Sequence, residues 1–175
     1  AGYLYNQLLN FRDGRRHYGL MRGLIGPLPD EYLREIARHF AAQHPPHPAP
    51  APVPPGTPQA VLERGREIAT RGVPARQVPA CTQCHGQALM GTLPATPGLI
   101  GLPRDYLQAQ MGAWRAGRRQ AHAPDCMARI VERLPAEDLS AVATWLATQP
   151  VPPDARPADP KPAPSGAGQG LRCGS

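Results

Sequence analysis

The 175-residue chain lacks long apolar runs and contains few aromatic residues. No apolar run approaches the roughly 20 residues that a membrane-spanning helix needs, so the sequence predicts no transmembrane segment. Aromatic residues make up 5% of the chain, and no nucleic-acid recognition motif accompanies its net charge of +6. A basic charge without such a motif does not predict binding to nucleic acid.

Cysteine is also scarce, since the chain has four and none lies before residue 81. Residues 81–85 have the sequence CTQCH. Two thiols three positions apart on a helical turn can each form a thioether to one vinyl group of a haem, and the next residue then brings an imidazole to the iron. The run therefore predicts one covalently attached haem c, bound through Cys81 and Cys84, with His85 as an axial iron ligand.

The CTQCH run has two other interpretations. A thioredoxin-like redox pair would follow a strand in a βαβ unit, but residues 72–80 show no strand signal. A structural zinc site needs four ligands, so the two cysteines would have to recruit His122 or Cys126 without a second cysteine pair. Neither alternative requires a histidine next to the second cysteine, and haem attachment is therefore preferred.

A low-spin haem electron carrier needs a second axial ligand, and a methionine thioether is common in that position. Met90 follows His85 too closely in the chain to reach the opposite face of the haem. Met111 lies at a helical spacing that is more typical of a core side chain. Met127 comes about 40 residues after the haem motif, in a proline-containing stretch before the last helix. It is the predicted ligand, with Met111 as the second choice.

The segment after the haem motif carries three prolines and three glycines between residues 91 and 103. This composition predicts an irregular loop along one edge of the haem rather than a regular element. A carbonyl group in the loop could accept the free ring N–H of His85 and fix its orientation. Beyond the loop, residues 135–146 predict a helix that packs on the helix near residues 59–71. Its apolar face consists of Leu139, Val142, Ala143 and Leu146.

Residues 59–149 resemble a class I cytochrome c domain, in the order helix, CTQCH, loop with the sequence TPGL at 96–99, helix from Tyr106, Met127 and a final helix. The resemblance covers about half the chain and implies a small all-α fold around the haem. It also implies that the carbonyl of Pro97 accepts the ring N–H of His85. Maturation of c-type cytochromes outside the cytoplasm implies a periplasmic location.

An internal repeat extends this interpretation to the start of the chain. Residues 3–16 are similar to residues 106–119, with shared tyrosine, leucine, glutamine and arginine positions and a common Gly-Arg-Arg ending. Residues 1–44 are therefore predicted to be the C-terminal half of another cytochrome domain, in which Met21 would ligate a first haem if the missing half were supplied. The matching positions are Met21 with Met127, Leu33 with Leu139, and Ala37 with Ala143.

The repeat resembles two-domain, di-haem cytochromes of the cytochrome c4 type, but the first attachment motif is missing. Either the chain is a piece of a longer protein, which is the preferred expectation, or the first haem has been lost. The lack of a signal peptide agrees with a mature or truncated product. Residues 1–44 are not expected to be stable alone. Residues 45–58 predict a proline-rich linker, and residues 150–175 a disordered tail whose Cys173 is not expected to pair with Cys126.

The leading function is one-electron transfer by a carrier that is not an enzyme, with His85 and Met127 bound to iron in both oxidation states. The resemblance implies redox protein partners, either a terminal oxidase or a dehydrogenase. Arginine clusters at residues 12–16 and 115–119 predict attraction to acidic partners or to a membrane surface. Two alternatives remain open: a haem enzyme or ligand sensor with an open distal site, and a cytochrome module of a dehydrogenase complex.

Overall fold

Helices make up nearly all the regular structure of this computed structural model, which describes residues 1–160 and 173–174. The first part of the chain contains α1 (Gly2–Arg12), α2 (Gly19–Ile25) and α3 (Asp30–Ala41). After the proline-rich segment come α4 (Gln59–Arg71), α5 (Cys81–His85), α6 (Arg104–Arg115), α7 (Cys126–Arg133) and α8 (Ala136–Ala147). The predicted all-α fold class is confirmed.

The loop after α5 contains a short antiparallel pair that the sequence did not predict. Strand β1 (Gly91–Thr92) lies against β2 (Thr96–Pro97), with Gly91 opposite Pro97. Gly91 has a φ of 94°, and a Cβ there would lie 2.8 Å from the backbone nitrogen of Gly98. Only glycine fits both constraints, so the proline- and glycine-rich composition closes a tight hairpin here instead of an open loop.

Helices α4 and α8 form the centre of the second part of the chain. Ile68 of α4 and Leu146 of α8 are fully buried in one apolar cluster. The helices approach so closely at Gly65 that a Cβ there would overlap the carbonyl oxygen of Ala141 and lie 2.7 Å from Cβ of Trp145. The predicted packing of the last helix on the helix near residues 59–71 is confirmed.

The internal repeat is visible in the structure as two copies of a three-helix order, α1–α2–α3 and α6–α7–α8. The apolar positions that the repeat matched are buried in both copies. They are Leu33 and Ala37 in α3, and Leu139 and Ala143 in α8. The first copy nevertheless leaves more apolar surface uncovered. Five of the eight exposed large apolar side chains in the described structure belong to it, namely Tyr18, Leu20, Leu24, Tyr32 and Phe40.

The two copies meet through a nearly symmetric network of arginine and glutamine side chains. Arg16 and Arg119, which occupy equivalent repeat positions, face each other in an antiparallel bridge. Arg16 donates to Gln7 at 3.0 Å and to Gln110 at 2.8 Å. Arg119 donates to the same two side chains at 3.3 and 2.6 Å. Each arginine therefore binds one glutamine of its own copy and one of the other copy.

Part of the C-terminal segment follows a defined path, which differs from the predicted disorder. The N–H of Ala158 donates to the carbonyl of Gly91 at 2.9 Å, and its carbonyl accepts the N–H of Leu93 at 2.8 Å. Residues 150–160 thus reach the free edge of β1, whose unpaired backbone groups gain partners. The rest of the predicted tail, at 161–172 and 175, lies outside the described residues.

Cys126 and Cys173 form a disulfide bond, so the expectation that they do not pair is wrong. Their Cα atoms are 5.4 Å apart, a normal separation for bridged cysteines. The N–H of Gly174 also donates to the carbonyl of Pro124 at 2.9 Å, which places this end of the chain beside the start of α7. The two cysteines are 47 residues apart, so no local sequence pattern predicts that they pair.

Gly65→Ala should lower the free energy of unfolding by about 1–3 kcal/mol, because the added methyl group meets backbone atoms of α8 that cannot move aside. Gly112→Ala on α6 is the matched control, since no described atom beyond the neighbouring backbone of its own helix lies within 4 Å of a Cβ there. The control should be neutral or gain up to about 1 kcal/mol from helix propensity. Denaturant unfolding of the two variants measures both values, and equal stabilities would contradict the close crossing.

Candidate haem-binding site

The CTQCH residues form α5, a single short helix with well-defined ends. Ala80 precedes it in an extended conformation, and Gly86 ends it with a φ of 80°. A Cβ at Gly86 would lie 2.9 Å from the carbonyl oxygen of Gly91, so the chain can turn sharply here only with glycine. Cys81 and Cys84 are half-buried free thiols three positions apart on this turn. Both thiols therefore lie on one helical turn directly before His85.

The imidazole of His85 is held by a hydrogen bond to the loop that follows α5. Its Nδ1–H donates to the carbonyl oxygen of Pro97 at 2.7 Å, as the resemblance implied. A carbonyl can only accept, so the proton is on Nδ1 and the lone pair is on Nε2. Burial lowers the pKa of His85, and the bond to Pro97 opposes that shift only in part, so the ring is neutral at neutral pH.

The second ring nitrogen of His85 remains available. The residue is 6% exposed. Within the described residues, Nε2 of His85 has no hydrogen-bond partner. Every fully buried side-chain nitrogen or oxygen in those residues does have a partner, so Nε2 is not fully buried. Nε2 therefore keeps contact with accessible space. An unprotonated imidazole nitrogen without a hydrogen-bond partner can bind a metal ion.

Further contacts fix the loop against α5. The hydroxyl of Thr92 donates to the carbonyl of Cys84 at 2.8 Å, which ties β1 to the haem-attachment turn. The N–H of Leu99 donates to the carbonyl of Leu89 at 2.7 Å, just beyond Pro97. These bonds close the loop on both sides of the His85 acceptor. The orientation of the imidazole is therefore set by backbone structure.

The thiols do not have the character of a redox pair. Burial raises the pKa of Cys81 to about 11, and burial also raises the pKa of Cys84. Reactive cysteines of the thioredoxin type have lowered pKa values, because the thiolate is the nucleophile. The described part of the chain also has no βαβ unit around α5. The thioredoxin-like alternative is not supported.

The zinc alternative also lacks ligands. Cys126 is bonded to Cys173 and cannot join Cys81 and Cys84. Nε2 of His122 lies 3.3 Å from the guanidinium of Arg15. Within residues 1–160 and 173–174, no group of three or more histidine, cysteine, aspartate or glutamate residues is placed to hold a metal ion. A four-ligand zinc site is therefore not formed.

Three methionines of this half pack against the same apolar cluster. Met90, Met111 and Met127 are all half-buried there, so burial alone does not select the distal ligand. The backbone of Met90 lies beside Gly98, on the Pro97 side of His85. This position agrees with its exclusion as a ligand of the opposite face. Met127 is the second residue of α7, and Met21 lies near the start of α2, its counterpart in the first copy.

Asp125 is a structurally important residue that the sequence analysis did not identify. One carboxylate oxygen accepts the N–H of Ala128 at 3.0 Å and caps α7. The other accepts the N–H of Ala121 at 2.6 Å and Nε1–H of Trp114 at 3.2 Å. An aspartate directly before a helix is a recognised N-cap signal and could have been found. The contacts to Ala121 and Trp114 have no such signal.

Arg119 is a buried cation in the contact between the two repeat copies. It is 5% exposed, lies 3.9 Å from the ring centre of Trp114, and bonds only neutral side chains among the described residues. Burial lowers its pKa, and the nearby Arg16 adds repulsion. Two guanidinium groups without a carboxylate favour an anionic group nearby. The propionates of a haem have that charge, and the two free thiols and Nε2 of His85 supply attachment and ligand groups, so the residues present fit a haem.

No family model matches the chain, but individual proteins do. The thiosulfate dehydrogenase electron acceptor of Thiomonas intermedia (strain K12) is 34% identical over 151 residues, covering 86% of this chain and 68% of that protein. Cytochrome c4 of Pseudomonas aeruginosa is 30% identical over 146 residues, covering 82% of this chain and 69% of that protein. The chain thus spans about two thirds of the length of these curated relatives.

A solved structure agrees with these relatives. Thiosulfate dehydrogenase TsdBA from Marichromatium purpuratum, in its as-isolated form, matches with a TM-score of 0.73 and 33% identity. The match covers 85% of this chain and 31% of that one. The similar region is therefore one part of a larger protein.

The helical fold and the CTQCH site together define a class I c-type cytochrome, whose cofactor is covalently bound haem c. Within that class, the chain belongs to the di-haem family that contains cytochrome c4 and the thiosulfate dehydrogenase electron acceptors. Proteins of this family are electron carriers rather than enzymes, and the predicted electron-transfer function is confirmed at that level.

Removal of the attachment thiols should abolish covalent haem. After expression with the c-type maturation system, the unchanged chain should show the mass of one added haem, and Cys81→Ala/Cys84→Ala should show none. Cys126→Ala/Cys173→Ala is the matched control, because it removes two thiols from a disulfide and leaves α5 intact. Intact mass spectrometry makes the comparison. Retention of haem mass in the Cys81/Cys84 variant would refute the assignment.

Proposed function

We propose that this chain is a periplasmic electron carrier whose haem is attached through Cys81 and Cys84 and ligated by His85 and Met127. The observation that carries the proposal is the 2.7 Å hydrogen bond from Nδ1–H of His85 to the carbonyl of Pro97. It leaves Nε2 unprotonated and aims a fixed imidazole for metal binding. Bound haem iron supplies a one-electron couple between its ferric and ferrous states.

The protein contributes a rigid and largely dry environment. His85 is buried and cannot turn without breaking its bond to Pro97. The carbonyl of Pro97 makes the imidazole a stronger electron donor to the metal, because it shares the Nδ1 proton. Buried side chains of α4 and α8, with Ile68 and Leu146 at their centre, exclude water. A site that moves little between oxidation states keeps the barrier to electron transfer low.

The proposed electron donor is a thiosulfate dehydrogenase. One relative carries the name of an electron acceptor for that enzyme, and one of the solved structures that match is itself a thiosulfate dehydrogenase. In that structure the similar region makes up 31% of the chain. In that structure a similar cytochrome region and the dehydrogenase share one chain, and we propose that this chain accepts electrons from such an enzyme as a separate protein. A terminal oxidase is the proposed downstream acceptor.

The surface charge favours an acidic partner. The chain has a net charge of +6, and Arg115 and Arg118 at the end of α6 are exposed. Arg16 and Arg119, which the sequence grouped with them, are instead bonded inside the contact between the two repeat copies. The same exposed charge favours contact with anionic lipids at a membrane surface. In the described residues, no helix is both long and apolar enough to span a membrane.

We further propose that residues 1–44 are the C-terminal half of a first cytochrome domain and that residues 59–149 form the complete second domain. The repeated helix order and the matching buried positions support this division. Met21 would ligate a first haem when the rest of that domain is present. Residues 45–58 link the two, and Ala51 N–H donates to the carbonyl of Ala147 at 2.9 Å along the way.

Met127→Ala should leave the haem attached but open its sixth coordination position. The weak far-red absorption band between methionine and ferric iron should disappear, and the affinity of the ferric form for cyanide should rise about tenfold or more. Met111→Ala and Met90→Ala are matched controls, since both side chains pack on the same apolar cluster. Both controls should keep the band. An unchanged spectrum in Met127→Ala would refute the assignment and point to Met111.

Reduction by thiosulfate dehydrogenase should be fast and should slow as ionic strength rises, because opposite charges attract the partners. Arg115→Glu/Arg118→Glu should lower the second-order rate constant about tenfold at low salt. Arg66→Glu/Arg71→Glu on α4 is the matched control, with the same change in charge on another exposed surface. Stopped-flow absorbance of the haem, with enzyme and thiosulfate in excess, measures the rate. No reduction by the enzyme would contradict this donor.

A further inference from the structure

The start of α7 is held by an unusual number of connections for a short helix. Asp125 binds three N–H groups, those of Ala128, Ala121 and the Trp114 indole. The next residue, Cys126, is covalently joined to Cys173. Helix capping needs only the first of these contacts. The others hold the start of the helix to its surroundings.

The connections come from different segments of the chain. Trp114 belongs to α6 and packs against the main apolar cluster, so its bond to Asp125 ties α7 to the core. Ala121 lies in the loop between the helices, so its bond folds that loop back on Asp125. Cys173 comes from the C-terminal end of the chain. Together, three separate segments of the chain restrain the same two residues, 125 and 126.

The C-terminal end is anchored beyond the disulfide itself. The N–H of Gly174 donates to the carbonyl of Pro124 at 2.9 Å. A Cβ at Gly174 would overlap the carbonyl oxygen of His122, so the backbone fits tightly against this loop. The tight fit makes Cys173 a fixed attachment point for Cys126. A covalent bond to a loosely held end would restrain α7 much less.

The loop that leads to α7 is also fixed at its beginning. The N–H of Gln120 donates to the carbonyl of Arg15 at 2.7 Å, in the first repeat copy. Residues 120 to 126 thus have anchors at both ends. Met127 is the next residue in the chain, so these contacts also fix the position of its backbone.

We propose that Asp125 and the Cys126–Cys173 disulfide are positioning groups that hold Met127 where its thioether can serve as the axial ligand. The inference rests on the proposed function, in which Met127 ligates the haem. Methionine is a weak ligand on a flexible side chain, so its occupancy at the iron depends on how firmly its backbone is placed. Met21, the equivalent methionine of the first copy, follows Gly19 and Leu20. It therefore lacks equivalents of Asp125 and Cys126.

Competition between Met127 and cyanide at the ferric haem of the full chain measures this positioning. Asp125→Ser keeps a side chain that caps α7 but cannot reach Ala121 and Trp114 together, and Cys126→Ala/Cys173→Ala removes the covalent tie. Each should raise the affinity for cyanide about tenfold, as expected for loss of charge-assisted bonds or a cross-link. Trp114→Phe removes one donor, keeps an aromatic ring, and should raise the affinity about threefold.

Gly65→Ala provides the control for general loss of stability, because it weakens the α4–α8 contact without touching α7. Its cyanide affinity should stay within about twofold of the unchanged chain. A second readout is independent of the haem: amide hydrogen exchange of residues 121–129 should quicken in the Asp125 and cysteine variants and stay unchanged in Gly65→Ala.

The outcomes separate the two proposals. If Met127→Ala itself does not raise cyanide affinity, Met127 is not the ligand and the proposed function fails at that residue. If Met127→Ala raises the affinity while the Asp125, Trp114 and cysteine variants match Gly65→Ala, the ligand assignment stands and the positioning role is overturned. Cyanide affinities above that of Gly65→Ala, together with faster exchange at residues 121–129, support the positioning role.

Discussion

The hydrogen bond from Nδ1–H of His85 to the carbonyl of Pro97 is the interaction on which the candidate site depends. It decides which ring nitrogen carries the proton, and it joins the attachment helix to the loop that follows it. The loop can provide that carbonyl only because Gly86 and Gly91 allow two sharp backbone turns. Backbone structure, rather than another side chain, thus prepares the imidazole to bind a metal.

The contact between the two repeat copies rests on a different kind of interaction. Arg16 and Arg119 occupy equivalent positions and each binds Gln7 and Gln110. The arrangement is nearly two-fold symmetric, as a duplicated segment that packs against itself would be. Each arginine satisfies the hydrogen-bonding groups of both copies, but no described carboxylate neutralises the pair. Neutral partners and an unmatched charge make this contact sensitive to any anionic group that lies near it.

The sequence predicted much of the fold and of the proximal site. Spacing within CTQCH predicted a covalent haem, which agrees with the relatives, and the periodicity of residues 135–146 identified the buried face of α8. The repeat identified positions that are buried in both copies. It did not predict the disulfide, the contacts of Asp125 with Trp114, or the pairing of Ala158 with β1. These contacts join segments that are distant in the chain or lack a recognisable local pattern.

By itself, the sequence determined the presence of a covalent haem motif, the order of the helices and the duplication of a three-helix segment. These properties depend on spacings of a few residues or on direct similarity between segments. Only the tertiary structure decided which side of His85 the loop covers, where the C-terminal segment returns, and how the start of α7 is held. Those outcomes depend on the path of the chain through space, which burial and backbone hydrogen bonding select together over the whole molecule.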